Sequence, residues 1–172
     1  MTFAVLEADP PWKFGDSLPG PKRGATSHYV CMRTPDVCTF ELPPLAPDAL
    51  LLLWRVSSMQ QDALDVVRAW GFTLKTEIVW EKTTITGKPH FGMGHYVRAS
   101  HETCLVATRG RWKPRSRSVR SRFSAPVGKH SQKPAAFYEL VEQLADGPYV
   151  RLFARAQRPG WTSFGNEIDE AA

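Results

Sequence analysis

Apolar and polar positions along the chain follow two different periods. Phe3–Glu7 is a short β-prone run that stops at Asp9-Pro10-Pro11, because proline cannot continue a central strand. Ala49–Trp54 (ALLLLW) is apolar throughout and of strand length, the pattern of a strand buried on both faces. Gln60–Trp70 changes to a helical period, with Ala63, Leu64, Val67 and Trp70 on one side and Gly71 placed to end it. Phe72–Trp80 predicts the next strand and Glu102–Thr108 a further buried one. Pro134–Leu144 is helical, with Phe137, Leu140, Val141 and Leu144 at i, i+3, i+4 and i+7. Tyr149–Ala154 is a last apolar strand, and Gly160–Ile168 closes the chain. Residues 13–47 are dense in proline and glycine, and 83–100 are glycine-rich and polar, so both read as long loops.

Strands alternating with helices predict an α/β fold: a mostly parallel sheet with helices on both faces. Ligands in such sheets bind at the carboxyl ends of strands, near the switch in strand order. Ala8-Asp9-Pro10-Pro11-Trp12 lies at the carboxyl end of the first strand.

Length narrows this picture. The 172 residues predict a single domain, 1–172, and no separate domain for recognising a target is expected among them. Ala49–Trp54 is the longest apolar run and is far too short to span a bilayer. No basic segment followed by an apolar core opens the chain, which predicts no secretory signal and a cytoplasmic protein. Cys31, Cys38 and Cys104 form no CxxC pair, so reduced thiols are expected rather than disulfides or a zinc site.

Charge adds a candidate partner. There are 22 basic and 17 acidic residues, a net charge of +5. Arg109, Arg111, Lys113, Arg115, Arg117, Arg120 and Arg122 fall in one stretch that contains no acid. Without those seven the balance is 15 to 17, a net of −2. A near-neutral body with one basic segment, read as a loop over about 109–129, suits a phosphate backbone. Trp112 and Phe123 flank the arginines and are available to stack on bases; the plainer reading is a solvated loop. Lys88, Arg98 and Lys129 are further candidates for holding phosphates.

The tetrapeptide Asp9-Pro10-Pro11-Trp12 has a chemical reading. The exocyclic amine of adenine is a poor nucleophile, because its lone pair is delocalised into the ring. Acceptors on its two N–H groups would hold it and favour a more pyramidal nitrogen. The Asp9 carboxylate and the Pro10 carbonyl supply both, and Pro11 stiffens the backbone that aims them. Trp12 is expected to stack on an extruded base. The plainer reading is a strand end with a core tryptophan.

Several separated segments then resemble one family, that of the MT-A70 adenine-N6 methyltransferases. They are ADPPW at 8–12, HYVCM at 28–32, LLLLW at 50–54, WGF at 70–72, EIVWEK at 77–82 and GHYVRASHETCLVATRG at 94–110. HSQKP at 130–134, LFARAQRPGW at 152–161 and FGNE at 164–167 complete the series. The resemblance implies a Rossmann-like methyltransferase fold, with the catalytic motif ahead of the donor-binding motif. It implies S-adenosylmethionine as donor, S-adenosylhomocysteine as product, and no metal. Asp9, Pro10, Pro11 and Trp12 resemble the catalytic loop, with Asp9 also beside the donor. Lys133 resembles the lysine that meets the donor's carboxylate end, and Arg155 the arginine near the donor. Asn166 and Glu167 resemble the pair that binds the ribose hydroxyls. Phe153 is read as lining the donor's adenine pocket or as a core residue. His28 and Tyr29 are read as contacts to the target nucleotide or as loop packing. His95, His101 and His130 are widely spaced and are read as loop or backbone-bonding residues, not metal ligands. Arg151 departs from the pattern, since many relatives carry glutamate there.

The leading expectation is a DNA adenine-N6 methyltransferase of a bacterium or phage, with short or relaxed sequence specificity. Its nucleic-acid contacts would be Arg111, Lys113, Arg115, Arg117, Arg120 and Arg122, together with His28 and Tyr29. An RNA adenine-N6 methyltransferase is the alternative, and a catalytically silent nucleic-acid-binding subunit a further one. A homodimer is a candidate assembly.

Overall fold

The computed structural model describes residues 1–14, 31–94, 96–128 and 132–165. Among them run β1 (Phe3–Ala8), α1 (Thr34–Cys38), β2 (Leu45–Arg55), α2 (Gln60–Ala69), β3 (Thr73–Thr83) and β4 (His101–Arg109). Next come β5 (Arg122–Pro126), α3 (Ala135–Leu144), β6 (Tyr149–Leu152) and β7 (Trp161–Phe164). The strands form one sheet in the order β5-β3-β4-β2-β1-β6-β7.

The apolar runs explain the layers. In β2, Leu50, Leu52 and Trp54 point to one face while Ala49, Leu51 and Leu53 point to the other, and all are buried. The first face is covered by Phe137, Tyr138 and Val141 of α3, the second by Ala63, Val66 and Val67 of α2 with Val37 of α1. The α2 helix ends as its sequence predicts. Gly71 takes a positive φ of 77°, Gly71 N–H bonds Arg68 O, and Phe72 N–H bonds Val67 O at 3.0 Å.

The sheet is α/β as expected, but less uniformly parallel. β1 pairs in parallel with β2 and β6, β3 with β5, and β6 with β7. β4 runs antiparallel to both β2 and β3. The cause is its connection: residues 84–100 hold no helix among those described, and a parallel return would need a helical crossover. The basic segment is also not loop throughout, because Arg122–Pro126 adds β5 to the edge of the sheet.

The order of the strands places the candidate site. β1 lies between β2 and β6, so the chain leaves it on one side and returns to its other side much later. The carboxyl end of β1 is therefore the switch point of the sheet, and Asp9 is the next residue. The reversed direction of β4 brings its first residues, His101 and Glu102, to this same end. No helix among the described residues is long and apolar enough to cross a membrane.

Candidate active site

The turn after β1 is held by backbone bonds that its prolines leave available. Met32 N–H bonds Pro11 O at 2.8 Å and Lys13 N–H bonds Met32 O at 2.9 Å, which ties the loop to the segment before α1. Trp12 N–H closes on Pro10 O at 2.8 Å. The Pro10 carbonyl is thus fixed in direction and keeps a second lone pair, as its expected role on the target amine requires.

Trp12 does not match its expected role. Its ring is 3% exposed within the core layer of Leu53 and Met59, and its indole N–H is spent on Trp54 O at 3.0 Å. A ring so covered anchors the loop and offers no face to a base in this structure. Large apolar area favours the core over the surface, and the polar N–H found a strand-end carbonyl to satisfy it.

Around Asp9 the structure builds a charged cluster. Lys133 precedes α3, where Pro134 caps the helix, and its side chain is 6% exposed. Its Nζ donates to Asp9 Oδ2 at 2.7 Å and reaches Glu102 Oε2 at 3.1 Å. Glu102 Oε1 in turn holds Lys82 Nζ at 2.6 Å. The Lys133 ammonium also lies 4.8 Å from the ring centroid of Trp54. Burial alone would lower the pKa of Lys133, but Asp9 and Glu102 outweigh it, so the ammonium is held charged well above its ordinary range. Burial pushes the Glu102 carboxyl up, yet Lys133 and Lys82 overcome that and hold it below its ordinary value. Two carboxylates and two ammonium groups therefore alternate across the carboxyl end of the sheet.

Neither Glu102 nor Lys82 stands out as a site residue in the sequence. Their segments carry the family resemblance, but nothing in local pattern shows that β4 is reversed. Only that reversal turns the first residue pair of a buried strand toward Asp9 instead of away from it.

Of the residues expected on the donor side, Phe153 and Arg155 lie at the neighbouring strand end. Phe153 directly follows β6, has a positive φ of 59°, and packs its half-buried ring against Phe40 at 4.8 Å between centroids. A positive φ is uncommon for a bulky residue and marks a chain path imposed by its surroundings. Arg155 lies in the loop that follows. Gly165 closes against that loop: a Cβ there would collide with Ala154 O, so only glycine fits. His28, Tyr29, Asn166 and Glu167 lie outside the described residues, as do His95, Lys129 and His130.

The basic segment, expected to hold phosphates, begins at the far end of the sheet. Arg109 ends β4 at the far end of the sheet, where its guanidinium bonds Leu45 O and Ala46 O at 2.9 and 2.7 Å. Arg111 N–H bonds Asp48 there. From Glu102 to Arg109 is seven strand residues, about 23 Å at the usual strand rise. Arg115 caps the far end of α3, with its N–H on Leu144 O at 2.8 Å and its side chain on Asp146 at 3.2 Å. Arg122 opens β5 on the edge of the sheet, opposite Val79, beside Glu81 at 3.8 Å. The segment thus starts away from Asp9, because the antiparallel strand before it carries the chain to the opposite end.

A carboxylate at a sheet switch point, followed by a rigid proline turn and paired with a buried lysine, is joined by a family match. The MT-A70 family model matches residues 3–167. The chain belongs to the MT-A70 family. It is 29% identical over 177 residues to the N(6)-adenosine-methyltransferase MT-A70-like protein of Drosophila melanogaster, covering 97% of this chain and 27% of that protein. The human N(6)-adenosine-methyltransferase catalytic subunit METTL3 is 28% identical, over 97% of this chain and 28% of that one. The type II methyltransferase M.MunI of a Mycoplasma species is 27% identical over 189 residues, 98% of this chain and 78% of that one. The chain spans about a quarter of the length of the eukaryotic relatives it matches.

MT-A70 methyltransferases use S-adenosylmethionine, and the residues present fit it. The Lys133 ammonium has three donors, of which Asp9 and Glu102 take two, and the remaining one would serve the donor's carboxylate. The turn at Phe153 and the close approach of Gly165 to Ala154 would shape the donor's neighbouring wall. Among the described residues no group of three or more His, Cys, Asp or Glu could hold a metal ion.

Proposed function

We propose that this chain transfers the methyl group of S-adenosylmethionine to the exocyclic N6 amine of adenine in DNA. The observation that carries the reading is Asp9, held by Lys133 at 2.7 Å in a fixed proline turn at the switch point of the sheet. The match to a type II methyltransferase over 78% of that protein favours DNA. RNA is the second reading, favoured by the likeness to N(6)-adenosine methyltransferases.

The donor supplies a methyl already activated on a sulfonium, so the chain has no nucleophile of its own to provide. Asp9 and the Pro10 carbonyl accept from the two N–H groups of the amine and aim its lone pair at the methyl carbon. When bound, the donor would supply an electrophilic methyl carbon with a neutral thioether as its leaving group. The nitrogen becomes positive and sheds one proton toward the Asp9 carboxylate or water. Lys133 keeps Asp9 oriented, and Glu102 keeps Lys133 in place.

The substrate strand runs along the carboxyl end, over residues 84–100, which join β3 to β4 beside Lys82 and Glu102. Phe91 and Tyr96 are exposed there and suit base stacking, with Lys88 and Arg98 as cations. Recognition of a short or relaxed sequence and a cytoplasmic location belong to the same proposal. The test is methylation of matched single-stranded DNA, duplex DNA and RNA, read as N6-methylated nucleoside by mass spectrometry. Asp9→Ala should give no product while retaining donor binding; product from Asp9→Ala would overturn the assignment.

A further inference from the structure

Behind the site lies a second buried charged group that the methyl transfer itself does not use. Glu7 of β1 and Arg151 of β6 are direct register partners, one step before the strands end. Their side chains are 2% and 11% exposed. Every nitrogen of the Arg151 guanidinium is engaged, each on a different element. Nε donates to Glu7 Oε2 at 3.3 Å on β1, and Nη2 to the Tyr138 hydroxyl at 2.7 Å on α3. Nη1 donates to Ala156 O at 3.0 Å, in the loop after β6. The guanidinium also stacks on the Tyr138 ring at 4.6 Å, whose other cation neighbour is Arg158 at 4.7 Å.

We propose that Arg151 is a positioning residue for the methyl donor: it ties the loop after β6 to the catalytic strand, so that the donor pocket and Asp9 are held as one unit. The inference rests on the methyltransferase function proposed above.

The loop needs such a tie. It begins at Phe153, whose φ of 59° is unfavourable for an aromatic residue and must be stabilised from outside. It contains Arg155 and presses on Gly165, so its path decides the shape of the donor wall. Near its start Ala154 N–H bonds Phe164 O at 3.0 Å, and further along Arg158 bonds Glu142 at 3.1 Å. Between these anchors the Nη1 bond to Ala156 O is a direct link from the loop to Arg151, and through Arg151 to Glu7, two residues before Asp9. A lysine could keep the charge and the Glu7 contact, but its single ammonium cannot reach three divergent acceptors in a plane. Buried ion pairs contribute little net stability compared with apolar residues of the same volume, so a merely structural account gives this pair no particular task.

The test compares Arg151→Lys and the charge-free double variant Glu7→Gln/Arg151→Met with wild type. Donor affinity is read by calorimetry with S-adenosylmethionine, and steady-state kinetics separate KM for the donor from kcat. In Arg151→Lys, KM for the donor should rise about tenfold or more with kcat changed far less, the loss expected for charge-assisted bonds. Without donor, hydrogen exchange at the Ala154 amide should accelerate. The double variant should recover thermal stability, having no unpaired buried charge, and still bind the donor weakly. Recovery of both stability and affinity would reduce Arg151 to a structural residue and overturn the proposal. So would Arg151→Lys with wild-type donor KM and wild-type exchange at Ala154. A wild-type chain that binds no donor would overturn the proposed function instead, and the exchange measurement would show whether the tether itself stands.

Discussion

Replacing Lys133 with methionine keeps the volume of the side chain and removes its charge. Lys133 Nζ lies 2.7 Å from Asp9 and 3.1 Å from Glu102. At an effective dielectric constant of about 20, the 2.7 Å contact alone is a gross attraction of about 6 kcal/mol, part of which offsets desolvation of the pair. Glu102 retains Lys82 at 2.6 Å when Lys133 is lost, so Asp9 bears most of the damage. Breaking a buried pair by removing one partner costs about 3–5 kcal/mol. Asp9 is 24% exposed, which puts the expected cost at the lower end, about 3 kcal/mol. For a chain of this size that lowers Tm by roughly 6–12 °C. Asp9→Asn should be milder, because Lys133 keeps Glu102. The double variant Asp9→Asn/Lys133→Met should be more stable than the sum of the single effects by about 2 kcal/mol. The assay is urea unfolding of the four proteins at pH 7.5. A Lys133→Met change below about 1 kcal/mol, or strictly additive single effects, would refute the claim that Lys133 and Asp9 act as a pair.

Stability should also depend on pH through Glu7, whose carboxyl burial pushes up to about 7 from 4.5, with Arg151 lowering it only in part. The folded state therefore holds the proton more tightly than the unfolded one. Its contribution is fully present below pH 4.5 and is lost as pH rises through about 7. The shift corresponds to at most about 3 kcal/mol. Unfolding of wild type and Glu7→Gln between pH 4.5 and 8 checks this: the stability difference should change with pH in that window, and a constant difference would contradict it. Reversing charge at Lys88 and Arg98 should weaken nucleic-acid binding and reduce its salt slope by about one to two, whereas reversing Arg111 and Lys113 should change both less. Filter binding at several salt concentrations separates the two pairs, and the opposite ranking would return the substrate to the basic segment.

The fold was legible wherever burial dictates pattern. ALLLLW could only be a doubly covered strand, and the period of Ala63, Val67 and Trp70 followed by Gly71 gave α2 with its end. Asp9 was legible as a candidate because a proline pair after a buried strand is an unusual stop. Strand direction was not legible. Nothing local in Glu102–Thr108 distinguishes an upward from a downward strand, and that one direction hid both the place of Glu102 and where the basic segment begins. The short β5 was missed because its alternation is weak and its neighbours are arginines and serines. Trp12 stayed open between two readings for a related reason: the same ring suits a base or a core, and only the fold brings its N–H to the carbonyl of Trp54. The Glu7–Arg151 pair was out of reach, since residues 144 apart meet only once β1 and β6 are known to be neighbours.

The most direct test of the central claim is nucleoside mass spectrometry after incubation of the purified chain with methyl-labelled S-adenosylmethionine. Single-stranded DNA, duplex DNA and RNA of matched sequence serve as substrates, with Asp9→Ala as control. The account predicts labelled N6-methyldeoxyadenosine from wild type and none from Asp9→Ala, with donor binding retained in both. Label on another atom of the base, or equal product from Asp9→Ala, would contradict it.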